Sequence, residues 1–457
     1  MHKILYRSTN KKSKLVTFKE ALLTGQAPDY GLYVPNSIPK LTKEEIQSFR
    51  DKQYHEIAFD ITKKFLQDEI SEEALIKITK DAYDFDVPLQ EVEDNLFIMG
   101  LDRGPTASFK DFAARLMARL MHHFSKKENK ELTVLVSTSG DTGGAVADAF
   151  YELKNINVIV LFPEKDVSAI QRKQMTTLGK NVRAFAIKGT FDDCQALVKQ
   201  AFNDKELKKL NLTSANSINF GRLMPQTFYY FYAASRIRKK PIFSVPSGNF
   251  GNLMAGVIAR EMGLPVEKFI VAVNENDEFP KFLHSGTYEP VEPSKKCSSN
   301  SMNIGHPSNL ARLIDLYGGW LYDKRNKKGE VVKKGVLKKK PDMKKMRKDI
   351  ASFSITDEEV RNTIKEVYIK YKILLEPHGA VGWCALQKYI KNNKISLAVS
   401  LETADPAKFP EQIKKVLGIV PKIPKSLEGL DEKQEKFEVI KNDYEDFKQK
   451  LMEWTKF

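Results

Sequence analysis

Residues 132 to 144 read Leu-Thr-Val-Leu-Val-Ser-Thr-Ser-Gly-Asp-Thr-Gly-Gly, an apolar run followed at once by a loop of hydroxyl side chains and glycines. An alanine-rich helical segment, residues 145 to 150, comes directly after the loop. A short apolar run that leads through such a loop into a helix is typical of a buried parallel strand and its crossover helix. The stretch therefore predicts a parallel α/β sheet.

The same alternation of strand and helix continues along the chain. We predict further strands over 158–162, 182–187, 241–246, 269–273 and 395–401, with helices over 169–178, 191–202, 227–237 and 253–262. Residues 96 to 420 are therefore predicted to form an α/β core of two doubly wound open sheets. The smaller subdomain covers about 130–238, and the remainder of the core forms the larger one.

Both ends of the chain differ from this core. Residues 1 to 95 contain strand-like and turn-rich segments, then helical patterns around 43–51, 54–67 and 71–83. We predict a separate amino-terminal α+β cap for this part. Residues 421 to 457 carry a charged helical pattern, which predicts a carboxy-terminal helical tail.

The composition is that of a globular protein, because 42% of the 457 residues are hydrophobic and 29% are charged. No apolar run is long enough to cross a membrane, and residues 1 to 8 lack the apolar core of a secretory signal. We therefore expect a cytoplasmic location and no membrane partner. The three cysteines lie far apart in the sequence, so neither a disulfide framework nor a metal site is expected.

The formal net charge of +15 is concentrated in one segment. Residues 324 to 348 contain thirteen Lys or Arg and two acids, which is +11 and leaves +4 for the rest of the chain. The segment predicts an exposed hairpin or loop with a solvated charge run, and no nucleic-acid partner is expected. A non-catalytic protein that binds anions or nucleic acid through this loop is one alternative function.

Lys110 stands at the start of a predicted helix. It belongs to the stretch Gly-Pro-Thr-Ala-Ser-Phe-Lys-Asp at 104–111, and good helix formers follow. The positive end of a helix dipole lowers the pKa of a lysine, and a neutral amine can form a Schiff base. By itself this stretch favours a solvated, inert lysine, because most lysines at helix starts are of that kind.

Three loops after predicted strands could bind a ligand together with Lys110. Residues 247–252, Ser-Gly-Asn-Phe-Gly-Asn, could bind a phosphate, and the loop at 137–144 could bind a carboxylate. The hydroxyl of Thr403 could meet a heterocyclic nitrogen. Each loop could instead be a plain turn or a helix cap. Because open sheets bind ligands at the carboxyl ends of their strands, Lys110, the phosphate loop and a hydroxyl loop could converge on one ligand with an aldehyde and a phosphate, namely pyridoxal phosphate.

Six stretches in this order resemble those of the threonine synthases, which are fold-type-II pyridoxal-phosphate enzymes of the tryptophan synthase β group. The stretches are 17–21 with 31–35, 104–111, 139–143, 247–252, 300–309 and 376–380. The resemblance implies that Lys110 binds the cofactor and is the catalytic base, and that Thr403 contacts the pyridine nitrogen. It places Asp141 near the cofactor's 3-hydroxyl. It also implies that the cofactor phosphate is bound by Gly248, Asn249, Phe250, Gly251 and Asn252. The substrate carboxylate would be bound by Thr138, Ser139 and Thr142, and the substrate phosphate by Asn216, Ser217 and Arg222.

The implied reaction converts O-phospho-L-homoserine and water to L-threonine and phosphate, in a monomer or homodimer. A phospho-lyase of the same group, which releases 2-oxobutyrate, is the nearest alternative. A hydroxyl beside the pyridine nitrogen would leave that nitrogen largely unprotonated. Two positions depart from the family pattern: Asp405 replaces the His of many relatives, and Tyr30 replaces a frequent Gly.

Overall fold

The computed structural model describes residues 3–237, 240–326 and 329–454. Two short paired strands and four helices form the amino-terminal part. They are β1 (Tyr6–Ser8), α1 (Phe18–Thr24), β2 (Tyr33–Pro35), α2 (Lys43–Ser48), α3 (Tyr54–Leu66) and α4 (Glu72–Ala82). Thr17 and Thr42 start α1 and α2 through capping boxes with Glu20 and Glu45. The three helical patterns are confirmed, and a 3-10 turn over Phe49–Asp51 completes the first of them.

The elements from residue 89 to the end alternate between strand and helix for most of the chain. They are β3 (Leu89–Glu93), β4 (Leu96–Gly100), α5 (Lys110–Glu128), β5 (Leu132–Ser137), α6 (Asp141–Phe150), β6 (Ile156–Pro163), α7 (Ala169–Thr176), β7 (Val182–Lys188), α8 (Phe191–Asn203), β8 (Leu212–Ser214), α9 (Phe220–Leu223), α10 (Phe228–Arg236), β9 (Ile242–Pro246), α11 (Gly251–Met262), β10 (Lys268–Val273), α12 (Glu278–Ser285), α13 (Leu310–Leu316), β11 (Trp320–Arg325), β12 (Val331–Lys339), α14 (Met343–Asp349), β13 (Ile350–Ser354), α15 (Asp357–Tyr371), α16 (Pro377–Ile390), β14 (Ala398–Glu402), α17 (Pro410–Leu417), β15 (Glu438–Lys441) and α18 (Tyr444–Trp454).

The larger sheet has the strand order β13-β10-β9-β14-β4-β3. All of its pairs are parallel except β3 with β4. The sequence did not predict β3, β4 or β13. β3 is a half-exposed edge strand without an apolar run, and it pairs with this sheet although it precedes residue 95. The division of the chain at residue 95 stays a prediction.

The smaller sheet has the order β15-β7-β6-β5-β8, and all of its pairs are parallel. The predicted strands at 132–136, 158–162 and 182–187 are confirmed. The tail contains the predicted helix, α18, but it also contributes β15, which pairs with β7 at the sheet edge. The sequence did not predict β15, because only one of its four residues is buried.

The lysine-rich segment contains an antiparallel hairpin of β11 and β12, followed by α14. This confirms the predicted hairpin, although Lys327 and Lys328 lie outside the described residues. No helix among the described residues combines the length and apolar character needed to cross a bilayer.

The carboxyl ends of β5, β9 and β14 open into the same cleft between the two sheets. Parallel strands of an open sheet present their following loops at that edge. The loops after Ser137, Pro246 and Glu402 therefore meet, and they are the loops in which the sequence places its candidate residues.

Candidate active site

Lys110 is the first residue of α5, as predicted. The residues before it form a tight turn in which Ala107 has a left-handed backbone, φ 52°. A Cβ at Gly104 would lie 2.4 Å from Asp111 Oδ2, so only glycine fits there. Buried Asp111 accepts hydrogen bonds from the hydroxyl and the backbone N–H of Thr106, at 2.5 and 2.9 Å. These contacts fix the position at which Lys110 enters the helix.

The loop after β14 forms hydrogen bonds with the turn that precedes Lys110. The backbone N–H of Phe109 donates to the carbonyl oxygen of Thr403 at 2.9 Å, and that of Asp405 donates to Ala107 at 3.0 Å. Thr403 and Lys110, far apart in sequence, are therefore neighbours in space.

The amine of Lys110 lies in a mostly buried position. Its Nζ is 3.4 Å from Asp141 Oδ2, and the side chain is 13% exposed. Burial lowers the pKa of Lys110, and Lys408 and Arg222 lower it further, while Asp141 opposes the shift. The pKa is lowered as the sequence predicts, but burial rather than the helix dipole is the main cause.

Asp141 forms an ion pair with a second lysine. Lys408 is fully buried, and its Nζ lies 2.8 Å from Asp141 Oδ1. Gln171 Nε2 donates to the same oxygen at 2.8 Å. Burial would raise the pKa of Asp141, but Lys408 and Lys110 outweigh it and hold this pKa well below its ordinary value. Asp141 is therefore an anion, and since Gly140 is the N-cap of α6, neither Asp141 nor Thr142 caps that helix.

The glycine turn after β9 leads into α11. Phe250 has a left-handed backbone, φ 60°, and a Cβ at Gly248 would lie 2.7 Å from the carbonyl oxygen of Ser301. Within the described residues, the backbone N–H groups of 248 to 251 have no acceptor in the chain. Free N–H groups at the positive end of a helix can bind a phosphate.

Asn249 joins the glycine turn to two neighbouring loops. Its Nδ2 donates to Ser217 Oγ at 2.6 Å, and its Oδ1 accepts from the N–H of Ser308 at 2.6 Å. Arg312, fully buried, donates to the carbonyl oxygen of Ser217 at 3.1 Å and to Asn309 Oδ1 at 2.6 Å. Burial lowers the pKa of Arg312 to about 9, so its positive charge persists at neutral pH beside the turn.

Arg222 is the second buried arginine of the site. Its Nη1 donates to the carbonyl oxygen of Ala215 at 3.0 Å, and its Nε has no partner among the described residues. Burial lowers the pKa of Arg222 to about 10, which leaves it charged. The charge of Asp111 favours the ionised form of Arg222, but Arg222 forms no ion pair within the described ranges of the chain. A buried charge without a paired anion is costly, so this guanidinium indicates a site for an anion. Asn216 lies nearby and donates to the carbonyl oxygen of Ser137 at 2.9 Å.

The hydroxyl of Thr138 is used within its own loop. It accepts from the N–H groups of Gly140 and Gly143, both at 2.9 Å, and donates to the carbonyl oxygen of Gly140 at 3.0 Å. Thr138 therefore shapes the loop, while Ser139 and Thr142 border the cavity.

Thr403 does not cap the helical turn that follows it. Its hydroxyl donates to Glu376 Oε1 at 2.9 Å, and Asp405 is the cap, because Asp405 Oδ1 accepts from the N–H of Ala407 at 2.8 Å. The alternative interpretation of Thr403 as a helix cap is therefore wrong. Burial raises the pKa of Asp405.

All the predicted site residues except Phe250 border one cavity of about 590 Å³. The side chain of Phe250 packs edge-on against Phe279, with ring centroids 5.0 Å apart. Tyr30 borders the cavity and has a left-handed backbone, φ 64°. Its ring lies 4.3 Å from the guanidinium of Arg325 on the lysine-rich hairpin.

The sequence analysis missed four buried polar residues of the site: Lys408, Gln171, Glu376 and Arg312. Lys408 lies five residues after Thr403, but a lysine in a helical turn usually indicates solvent exposure. Glu376 belongs to a stretch that supported the resemblance, without a role of its own. Nothing in the sequence around Arg312 indicates that it is buried.

These residues fit pyridoxal phosphate. Lys110 supplies an amine for the aldehyde, the glycine turn supplies N–H groups that a phosphate would satisfy, and Thr403 supplies a hydroxyl beside the lysine turn. The described residues contain no group of His, Cys, Asp and Glu side chains that could hold a metal ion.

Comparison with known proteins agrees with this chemistry. The family model described as threonine synthase N terminus matches residues 5–83, the model of pyridoxal-phosphate dependent enzymes matches 85–400, and the threonine synthase C-terminal model matches 379–450. The chain belongs to the threonine synthase family. The threonine synthase of Pseudomonas aeruginosa is 38% identical over 96% of each chain, and that of Escherichia coli K12 is 38% identical over 90% of this chain and 91% of that protein.

Solved threonine synthases share the whole fold. The crystal structure of the PLP-bound threonine synthase of Brucella melitensis superposes with a TM-score of 0.91 at 35% identity, covering 99% of this chain and 100% of that one. The yeast threonine synthase superposes with a TM-score of 0.87 at 32% identity and 98% coverage of both chains. The chain is thus a fold-type-II lyase of threonine biosynthesis, with pyridoxal phosphate as its cofactor.

Proposed function

We propose that the substrate is O-phospho-L-homoserine, which this threonine synthase converts with water to L-threonine and phosphate. The observation that carries the proposal is Arg222, a buried guanidinium that borders the same cavity as Lys110 and whose Nε has no partner within the described part of the chain. A substrate phosphate would supply a directly paired anion. Asn216 and Ser217 lie beside Arg222 and would bind the same phosphate.

The cofactor would be held at three points. Lys110 would bind its aldehyde, the N–H groups of residues 248 to 252 its phosphate, and Thr403 its pyridine nitrogen. Asp141 would face its 3-hydroxyl, with the charge of Asp141 balanced by Lys408. Bound pyridoxal phosphate withdraws electrons from the α-carbon of the substrate.

Lys110 would then move the protons of the reaction. Its lowered pKa favours the free amine, which would take the proton from Cα and then from Cβ, and the loss of the second proton would expel phosphate from Cγ. The lysine would return one proton to Cγ before the hydroxyl of water adds at Cβ, and it would return the other to Cα. The remaining proton of the water would leave with the phosphate. Ser139 and Thr142 would hold the substrate carboxylate, and Thr138 would shape their loop.

Product analysis tests the substrate and the outcome together. The cofactor-loaded chain is incubated with O-phospho-L-homoserine, and the products are separated and quantified. Equal amounts of L-threonine and phosphate support the proposal, whereas 2-oxobutyrate would identify a phospho-lyase. Turnover of neither kind would refute both, with Lys110→Ala as the inactive control.

Two further properties belong to the proposal. We infer a monomer or homodimer, which sedimentation equilibrium of the purified chain tests. We also infer a cytoplasmic location, which fractionation of the source cells tests.

A further inference from the structure

The hydroxyl of Thr403 can donate one hydrogen bond, and Glu376 is its acceptor. The hydroxyl donates to Glu376 Oε1 at 2.9 Å. Thr403 borders the cavity, whereas Glu376 is fully buried behind it. The oxygen of Thr403 keeps free lone pairs, so toward the cavity it can only accept a hydrogen bond.

Glu376 is surrounded by hydrogen-bond donors. Its Oε1 also accepts from the N–H of Gly379 at 2.8 Å, and its Oε2 accepts from the N–H of His378 at 2.7 Å and lies 2.5 Å from His378 Nδ1. With Thr403 this makes four contacts on two oxygens, which is the full capacity of an ionised carboxylate.

The tautomer of His378 is fixed by its other neighbour. The backbone N–H of Ser301 donates to His378 Nε2 at 3.1 Å, so Nε2 is an acceptor. The proton of a neutral His378 is therefore on Nδ1, where it points at Glu376. Three of the four partners of Glu376 are thus obligate donors, and a protonated Glu376 would have no acceptor among them.

We propose that the pyridine nitrogen of the bound cofactor is protonated and donates to Thr403, with Glu376 as the anion at the end of this chain of hydrogen bonds. The inference rests on the proposed place of Thr403 beside that nitrogen. It reverses the expectation from sequence, where a hydroxyl alone indicated an unprotonated nitrogen. Glu376 is then a positioning residue that acts through Thr403.

The alternative places the shared proton on Glu376 instead. Glu376 would donate to Thr403, and Thr403 would donate to a neutral ring nitrogen. Glu376 Oε1 would then carry its own proton while facing the N–H of Gly379. The neighbouring carboxyl, Glu402, accepts from the N–H of Glu376 at 2.7 Å. Burial and the charge of Glu376 raise the pKa of Glu402 well above its ordinary value, which favours a neutral Glu402 beside a charged Glu376.

A protonated nitrogen strengthens the withdrawal of electrons from the substrate. The consequence is a lower barrier to removal of the Cα proton by Lys110. A neutral nitrogen would give a weaker electron sink. The charge of Glu376 therefore determines how strongly the cofactor withdraws electrons from the substrate.

The test measures the nitrogen directly. The chain is loaded with pyridoxal phosphate carrying ¹⁵N in its ring, and the ¹⁵N resonance is recorded without substrate. Protonation moves the resonance of a pyridine nitrogen far upfield. We expect the wild-type chain to show the protonated position at neutral pH, and a resonance at the neutral position would overturn the inference.

The Glu376→Gln variant should move the resonance to the neutral position. Its amide oxygen is needed by the two donors of His378, so the amide NH₂ faces Thr403 and donates to it. Thr403 then turns its proton to the ring nitrogen. A resonance unchanged in this variant would overturn the inference. The control is Glu402→Gln, which changes a buried carboxyl that accepts from the backbone N–H of Glu376 and not from the hydroxyl of Thr403. It should leave the resonance at the protonated position.

Two variants of Thr403 test the inference independently, in case the Glu376→Gln variant does not fold. Thr403→Ser keeps the hydroxyl and should retain the protonated resonance, whereas Thr403→Val should lose it while the visible absorption of the bound cofactor remains. A protonated resonance in Thr403→Val would refute the relay. If the chain produces threonine while the pyridine nitrogen is neutral, this inference is wrong and the proposed function stands. If the chain binds no pyridoxal phosphate, the proposed function is wrong as well.

Discussion

At the residue scale, the site is organised by the contact of Asp141 with two lysines. Lys408 holds Asp141 as an anion, and that anion faces the amine of Lys110. If Lys110 binds the cofactor as proposed, Lys408 would still balance the charge of Asp141. Lys408 would thereby keep the charge of Asp141 paired after the amine of Lys110 has reacted.

Replacing Lys408 by Met should destabilise the chain strongly. The change leaves Asp141 buried without its full counter-charge, which costs about 3–5 kcal/mol for a buried pair. Urea unfolding measures this free energy. The control is Lys173→Met, because the partner of Lys173, Asp431, is 69% exposed, and its loss should cost at most about 1 kcal/mol. Equal effects of the two changes would contradict the role given to Lys408.

Arg222→Lys should weaken substrate binding while the fold is kept. Lysine retains the charge but loses the planar fork that can grip a phosphate. Hydrogen bonds to charged groups contribute about 1.5–3 kcal/mol, so KM for O-phospho-L-homoserine should rise about 10- to 100-fold. Steady-state kinetics give this value, with Arg183→Lys on the surface of the smaller sheet as control. An unchanged KM would remove Arg222 from the phosphate site.

At the element scale, the sequence predicted the buried central strands of both sheets except β4, and it predicted the loops after them. Apolar runs such as 132–136 indicate buried strands, and the glycine-rich loops that follow indicate where the strands end. Edge strands were missed, since β3 and β15 are half exposed and carry charged residues. The partners Glu376 and Lys408 were also missed, because their burial depends on contacts between segments far apart in the chain.

Gly248→Ala should weaken cofactor binding. The added methyl would lie 2.7 Å from the carbonyl oxygen of Ser301 and 3.0 Å from Met302 Cα, so the backbone of the turn has to move. We expect the variant to lose its cofactor on dialysis faster than the wild type, as followed by visible absorption. The control is Gly418→Ala, because Gly418 occupies a left-handed position, φ 71°, but an added Cβ would meet no atom within 4 Å. It should cost about 1 kcal/mol of stability and retain the cofactor, and a matching cofactor loss would contradict the account.

At the scale of the whole molecule, the carboxy-terminal tail completes the smaller sheet. β15 pairs with β7, and Ile440, Phe447 and Leu451 are buried in the core of that sheet. The lysine-rich hairpin contacts the amino-terminal part, because Arg325 of the hairpin packs over the ring of Tyr30. Segments from both ends of the chain therefore support the cleft that contains Lys110.

Phe447→Ala should lower the free energy of unfolding by about 3–5 kcal/mol, the usual cost of emptying a buried aromatic site. Val439→Ala on β15 is the control, because Val439 is 45% exposed and its truncation should change stability by about 0.5 kcal/mol or less. Chemical unfolding of both variants gives the comparison. A small effect of Phe447→Ala would mean that the tail is not part of the core of the smaller sheet.

The central claim is that Lys110 carries the cofactor, and chemical trapping tests it most directly. The cofactor-loaded chain is reduced with borohydride, which fixes the bond between amine and cofactor, then digested with trypsin and examined by mass spectrometry. We predict the mass of reduced pyridoxal phosphate on the peptide that contains Lys110, with cleavage after that lysine blocked. The same mass on Lys408 or on a surface lysine, with Lys110 unmodified, would contradict the account.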